Sequence, residues 1–354
     1  MAGRSRKSTG IREVAEAAGV SATTVSHALN GKGRISDKTR EKVLSVAQEL
    51  NYVPNRNAQN LVRGERASIA LSIAGNVEGI PVFTNWDVEY FMRLVTGAYE
   101  EASRSFLSRI FRPCGRGLDE RVISGEEEEE EEEEEVDAVI VVDPYPGQDL
   151  AFNSPITVTT GRVPATEENP EPDNPYWVDN DNVAATRMLL DHMAEQGARS
   201  IAMLTPQAVA SVTVDCEQAY LEWSGEKSQE PRICRAETAA SETAGSEATR
   251  ELLEAEDPPD AIFSTMQGLA VGALIAAKEK GVAVPEDLMI ASFCNGLAGS
   301  NSLGTITAVD LAPEMVGAKA VALVADLLDD REPETPQVIV PTILMPRAST
   351  MRNG

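Results

Sequence analysis

Ile11 to Asn30, IREVAEAAGVSATTVSHALN, is the stretch on which the reading of this chain turns. Ile11, Val14, Ala15 and Ala18 recur at i, i+3, i+4 and i+7, the spacing of one buried helical stripe. Thr9 or Gly10 is placed to cap that helix, and Gly19 follows its last apolar residue, where a left-handed position favours glycine. Val20 then drops toward the core and Ser21 caps a second helix. In that helix Ala22, Val25, Ala28 and Leu29 can turn inward, which leaves Thr23, Thr24, Ser26 and His27 outward. Two short helices around a tight turn, with small polar groups on the free face, suit a nucleic-acid groove.

Working outward, Met1 to Ser8 reads as a polar basic arm and Gly31 to Arg34 as a loop. Ser36 caps a third helix, whose Val43, Leu44, Ala47 and Leu50 are expected to close a three-helix core before Asn51-Tyr52-Val53-Pro54-Asn55 breaks it. Asn55 to Val62 holds Ala58 and Leu61 at i, i+3 and ends on Arg63-Gly64, a helix too short to stand alone.

Charge divides with this organisation. Residues 1–66 hold 12 Lys/Arg against 6 Asp/Glu, and the rest of the chain 19 against 51, within a total net charge of −26. A basic head on an acidic body fits phosphate contact made by one end only. Arg4, Arg6 and Lys7 precede no long apolar run, so no signal peptide is read and a cytoplasmic location is expected. Cys114, Cys216, Cys234 and Cys294 are far apart, and His27 and His192 are the only histidines. No metal site or cofactor is therefore expected, and free thiols are.

From Ala67 the period changes. Strands are read at Ser68–Ile73, Ala138–Val142, Ser200–Leu204, Ala261–Ser264 and Leu288–Phe293, and helices at Val88–Ser103, Val183–Gln196, Ser246–Ala255, Leu269–Lys280 and Pro313–Asp329. Strand and helix in alternation imply doubly wound parallel sheets, an α/β body. Glu126 to Glu135 is a run of ten glutamates, read as a solvated loop, and Gly161 to Pro175 as an irregular crossover between lobes. No P-loop, dinucleotide fingerprint or Ser/His/Asp spacing is present, so an enzyme is not expected.

Glu13-Val14-Ala15, Ala18-Gly19-Val20-Ser21, Thr24-Val25-Ser26 and Leu29-Asn30 resemble the head of the lactose/galactose repressor (LacI) family. Trp177-Val178-Asp179-Asn180, Leu269 to Leu274, Gly281 to Asp287 and Pro346 to Thr350 resemble the same family's periplasmic-binding-protein-like body. The resemblance implies a helix-turn-helix domain over residues 1–54, a hinge helix and linker over 55–66, and an effector-binding and dimerising body over 67–354. Lobe one is placed at about 67–163 plus 293–325 and lobe two at about 164–292 plus 326–345. It also implies a homodimeric repressor on a palindromic operator in double-stranded DNA, with a small-molecule-responsive or degenerate effector cleft. The other reading is a solute-receptor-like protein that binds a ligand without regulating DNA. With no apolar heptads in Ala348 to Gly354, a dimer is expected over a coiled-coil tetramer.

By the family's positions, Ala22, Thr23 and His27 would read bases, and Ser21, Thr24, Ser26 and Asn30 would hold phosphates. Asn55, Ala58 and Leu61 would lie in the minor groove, with Leu61 wedged into a base step. His27 stands where the family often has arginine; a histidine can donate to guanine N7 and would gain affinity as pH falls. In the cleft, Tyr90 and Phe91 are expected at the edge. The usual charged anchors for sugar hydroxyls align with Cys216 ahead of Ala219-Tyr220, with Met266-Gln267 ahead of Ala270-Val271-Gly272, and with Cys294 after Ser292-Phe293. The expected consequence is a softer, less polar cleft lined by Cys216, Gln267 and Cys294, and weak binding of simple monosaccharides.

Overall fold

The computed structural model describes residues 11–29, 35–50, 67–73, 76–77, 80–81, 87–104, 108–113, 136–144, 154–165, 169, 172, 174–207, 210–236, 241–293 and 305–352. Its contacts divide the chain into two compact units, Met1–Arg66 and Ala67–Gly354.

The first unit holds α1 (Ile11–Ala18), α2 (Ala22–Leu29) and α3 (Asp37–Glu49). Val14, Ala15, Ala18, Val25, Ala28, Val43 and Ala47 form its core, with Val20, Ala22, Leu29 and Val46 packed against them. Gly19 takes φ of +66°, the left-handed turn that lets α1 stop and Val20 fold back. Ser36 caps α3 by accepting from the Thr39 amide at 3.2 Å. The expected inward face of α3 needs correction. Leu44 is 46% exposed and Leu50 37%, whereas Val46 packs inward. Successive helical residues point about 100° apart, so with Val43, Ala47 and Val46 turned inward Leu44 falls at the outer edge of that face.

The second unit is two sheets. The first takes β1 (Ser68–Ile73), β4 (Ser108–Pro113), β5 (Ala138–Val142), β6 (Thr157–Thr160) and β7 (Trp177–Asn180). A two-stranded ribbon, β2 (Asn76–Val77) with β3 (Ile80–Pro81), and α4 (Asp87–Arg104) come between β1 and β4. The chain then crosses to α5 (Asn182–Glu195), β8 (Ile201–Pro206), α6 (Ser211–Lys227), β9 (Arg232–Ala236), α7 (Glu242–Glu254), β10 (Ala261–Ser264), α8 (Gln267–Lys280), β11 (Met289–Phe293) and β12 (Thr307–Asp310). It returns for α9 (Pro313–Leu328) and β13 (Gln337–Val340), and crosses a third time into β14 (Ile343–Met345).

The first sheet therefore runs β13-β7-β6-β5-β1-β4, all parallel, and the second β14-β12-β11-β10-β8-β9, parallel but for β14. All five residues of β5, AVIVV, are buried, as a central parallel strand covered on both faces requires. Pro313 opens α9, where its missing N–H costs nothing.

This topology moves the lobe boundaries from those expected. β7 and β13 belong to the first sheet and β12 to the second, so the crossings follow Asn180, Asp310 and Val340. Gly161 to Pro175 is not a crossover, because β6 and β7 on either side of it pair in one sheet. One pairing that sets these crossings, β7 with β13, joins segments more than a hundred residues apart. Asn180 ties all three crossings together: its Nδ2 donates to the Leu311 carbonyl at 3.0 Å and to the Val340 carbonyl at 3.1 Å.

Helix α6 was not foreshadowed by the periodicity. Its core face is Val212, Cys216, Tyr220 and Trp223, while the Val-Thr-Val at its start favours extended chain. Helices α7 and α8 cross at contact distance through Gly272, where a Cβ would meet the Glu242 carbonyl oxygen at 2.2 Å.

Candidate DNA-reading helix and inter-lobe cleft

In the head, α2 is held on its inner face by Val25 and Ala28, both buried. Its first turn is closed by Ser21, whose Oγ accepts from the Thr24 amide at 3.1 Å and lies 2.8 Å from Thr24 Oγ1. Thr23, His27 and Ser21 are exposed, and Thr24, Ser26 and Ala22 are half-buried. Ala22 also packs against the head core. The free face thus carries a hydroxyl, an imidazole and an N-terminal turn, the donors and acceptors that base edges and phosphates require. Asn30, Asn55, Ala58 and Leu61 lie outside the described residues, as does the glutamate run.

In the body, a cavity lies between the lobes where the three crossings meet. Tyr90, Asp143, Gly161, Val178, Asp179 and Asn180 line it from the first lobe, with Leu311 and Val316 near the second crossing. Asn182, Ser211, Val212, Thr265 and Met266 line it from the second. Asp179 is nearly buried and fully engaged. Its Oδ1 accepts from the Asn180 amide at 2.7 Å and Asn182 Nδ2 at 3.2 Å, and its Oδ2 accepts from Arg162 Nε at 3.0 Å and Ser211 Oγ at 3.3 Å. Arg162 Nη2 also donates to Asp215 Oδ2, which Asn182 Nδ2 reaches at 3.4 Å. The guanidinium lies 5.9 Å from the Trp177 ring centre. Burial works against the charge on Arg162, but its bond to Asp179 and the charges of Asp215 and Asp179 outweigh this and raise its pKa. Burial also pushes the Asp215 carboxyl up, opposed by Arg162.

Of the expected cleft residues, Tyr90 lines the cavity and Phe91 packs against the first-lobe core. Cys216 is not at the cleft. It is wholly buried in the second-lobe core, and burial pushes its thiol up to about 12. Its neighbour Asp215, a third of a turn back on α6, meets Arg162 instead. Gln267 is buried at the first position of α8, and Met266 before it lines the cavity. Cys294 lies outside the described residues. The lining sets the polar Asp143, Asp179, Asn180, Asn182, Ser211 and Thr265 beside the apolar Val178, Val212, Met266, Leu311 and Val316. Arg162, Asp179 and Asp215 are the functional candidates the sequence did not disclose; the Asp-Asn-Asp-Asn of 179–182 was the available signal. Cys216 and Cys234 form no disulfide. Among the described residues no helix is long and apolar enough to cross a membrane.

Comparison with known proteins agrees with both units. Residues 10–55 match the model for bacterial regulatory proteins of the lacI family, and residues 190–350 match a periplasmic binding protein-like domain. The transcriptional regulator CelR of Thermobifida fusca is 26% identical over 98% of this chain and 99% of its own length. The repressor PurR of Mannheimia succiniciproducens is 23% identical over 97% and 98%. The repressor CytR of Escherichia coli is 27% identical over 80% of each chain. Two solved structures share the fold: a CelR–cellobiose complex (TM-score 0.64, 24% identity, 96% of this chain and 99% of that) and a lac repressor dimer bound to operator and an anti-inducer (TM-score 0.64, 22% identity, 98% and 100%). With a match to the lacI-family head in its first unit and two parallel-sheet lobes around a cleft in its second, this chain is similar along nearly its whole length to DNA-binding transcriptional regulators of the lacI family.

Proposed function

We propose that the chain is a homodimeric repressor of a palindromic operator, located in the cytoplasm with its DNA, and that it catalyses no reaction. Each head lays α2 in the major groove, where Ala22, Thr23 and His27 read base edges and Ser21, Thr24, Ser26 and Asn30 hold phosphates. Asn55, Ala58 and Leu61 enter the minor groove between the half-sites. The observation that carries this reading is the exposure of Thr23 and His27 on a helix whose opposite face is fixed by Val25 and Ala28. The lac repressor dimer on its operator, which shares the fold, supports the symmetric arrangement.

The test is to sequence the DNA fragments that the immobilised full-length protein retains. An inverted repeat with a fixed half-site spacing is expected. Fragments without a shared motif would overturn the reading and favour a ligand-binding protein that does not regulate DNA.

The cleft takes a small molecule other than a simple sugar as effector. A solved relative is a complex with cellobiose. The lining here offers carboxylate, amide and hydroxyl groups but commits Asp179 to Arg162, Asn182 and Ser211. Simple monosaccharides are therefore expected to bind weakly. Calorimetry against a panel of them decides it: micromolar binding of one, with release of the operator, would refute this part.

A further inference from the structure

The two lobes are joined covalently only at the three crossings, which Asn180 draws together into one hinge. Beside such a hinge, an ion pair between the lobes resists the opening of the cleft. Among the described residues Arg162 makes one such bond, and Arg93 on α4 with Asp310 at the end of β12, at 3.4 Å, makes another at the second crossing. Arg162 follows β6 and belongs to the first lobe, whereas Asp215 sits on α6 of the second. The fork of Arg162 is aimed from its own lobe, by Asp179 on β7 at 3.0 Å and by the Trp177 ring beneath it. Asn182 and Ser211, both beyond the first crossing, bond the same carboxylates from the far side.

The chemistry makes Arg162 more than a passenger. Asp179 is 6% exposed and Asp215 9%, so the pair is largely withdrawn from water. Two such carboxylates, held to one Asn182 amide, repel one another unless a cation stands between them. Without Arg162 their mutual repulsion would act across the cleft and drive the lobes apart. With it, the same two charges pull the lobes together.

We infer that Arg162, gripping Asp179 and Asp215, is an inter-lobe latch that holds the cleft closed without a ligand. An effector must either fit beside the closed latch or displace it. The latch depends on body geometry alone and stands or falls apart from the DNA reading. Exchange of backbone amides for deuterium, followed by mass spectrometry on the full-length protein, tests it in wild type, Arg162→Gln, Asp215→Asn, the double variant and Arg162→Lys. Each single change is expected to speed exchange on both sides of the cleft, in peptides covering 157–162 and 211–220. The rise should reach about tenfold or more, the factor equivalent to about 1.4 kcal/mol. Peptides of α7 and α8 should not change. The double variant should exchange no faster than the faster single, since the bond can be lost only once, and Arg162→Lys should fall between wild type and Arg162→Gln. Small-angle scattering should show a larger radius of gyration in both single variants. Additive effects, or acceleration confined to the mutated side with an unchanged radius of gyration, would overturn the latch. Circular dichroism equal to wild type guards against simple misfolding, and Asp215→Asn, which keeps the side chain's size, provides the milder perturbation.

Discussion

At the scale of single residues, two histidines carry opposite consequences. His27 is exposed on α2, and its imidazole can donate to an acceptor on a base edge. His27→Ala is expected to cost about 1 to 3 kcal/mol of operator affinity and to relax preference at one position of each half-site. Competition binding with single-base operator variants measures this; an unchanged preference would remove His27 from base reading. His192, on α5, lies in the body, its Nε2 2.7 Å from Thr350 Oγ1, which in turn lies 2.6 Å from Thr307 Oγ1. Burial lowers its pKa, with Glu195 opposing. A histidine whose folded pKa lies below its unfolded value, about 6.5, takes up its proton more readily when unfolded. It therefore costs nothing above that value and erodes stability as pH falls below it. Denaturant melts from pH 7.5 to 5 should show a loss that His192→Gln reduces, and identical slopes in the two proteins would refute the assignment.

At the scale of elements, what could be read from the chain and what could not separate along physical lines. Local signals were faithful: Gly19 and Ser21 punctuated α1 and α2, and Ser36 opened α3. The alternation of strand and helix placed β1, β5 and β10 at the bounds the structure gives. The lobes were misdivided because a strand's sheet is chosen by distant partners, as β7 is by β13. The cleft was misread for a related reason. Arg162 and Asp215 are 53 residues apart, and no spacing rule brings them together. Cys216 was placed in the cleft by alignment, but one step along a helix turns a side chain by about 100°, enough to exchange cleft for core. The α7–α8 crossing offers a test at this scale. Gly272 lets the backbones touch, and a methyl there would lie 2.2 Å from the Glu242 carbonyl oxygen and 2.6 Å from the Ser246 nitrogen. Alanine's better helix propensity, about 1 kcal/mol, acts against a forced separation of packed helices that costs about 1 to 3 kcal/mol and more when backbone must move. Gly272→Ala should therefore lower the melting temperature; a rise would mean that the helices part freely.

At the scale of the whole molecule, the division of charge bears on how the protein finds its site. Residues 1–66 carry a net charge of +6, and the remainder −32. In the proposed dimer both are doubled, so the body's charge repels DNA while that of the heads attracts it. Charges more than a Debye length from the DNA, about 8 Å at physiological ionic strength, are screened, so in the proposed complex the heads' contacts are expected to set the affinity. Those contacts release counterions, so the logarithm of the binding constant should fall linearly with the logarithm of salt, with a slope of about −0.9 for each phosphate neutralised. Two substitutions separate the contributions. Replacing a phosphate-contacting Lys or Arg of the head should lower the slope by about 1 per subunit and weaken all sequences alike. Replacing the glutamates of 126–135 by glutamine, ten charges per subunit, should leave the slope at physiological salt unchanged and strengthen binding only when salt is lowered to about 0.01 M, where the Debye length reaches about 30 Å. Titrations of operator and random DNA over that salt range measure both. A changed slope on removing the glutamates at physiological salt would mean that the run lies against the DNA, and the body would then share in the contact that the head is proposed to make alone.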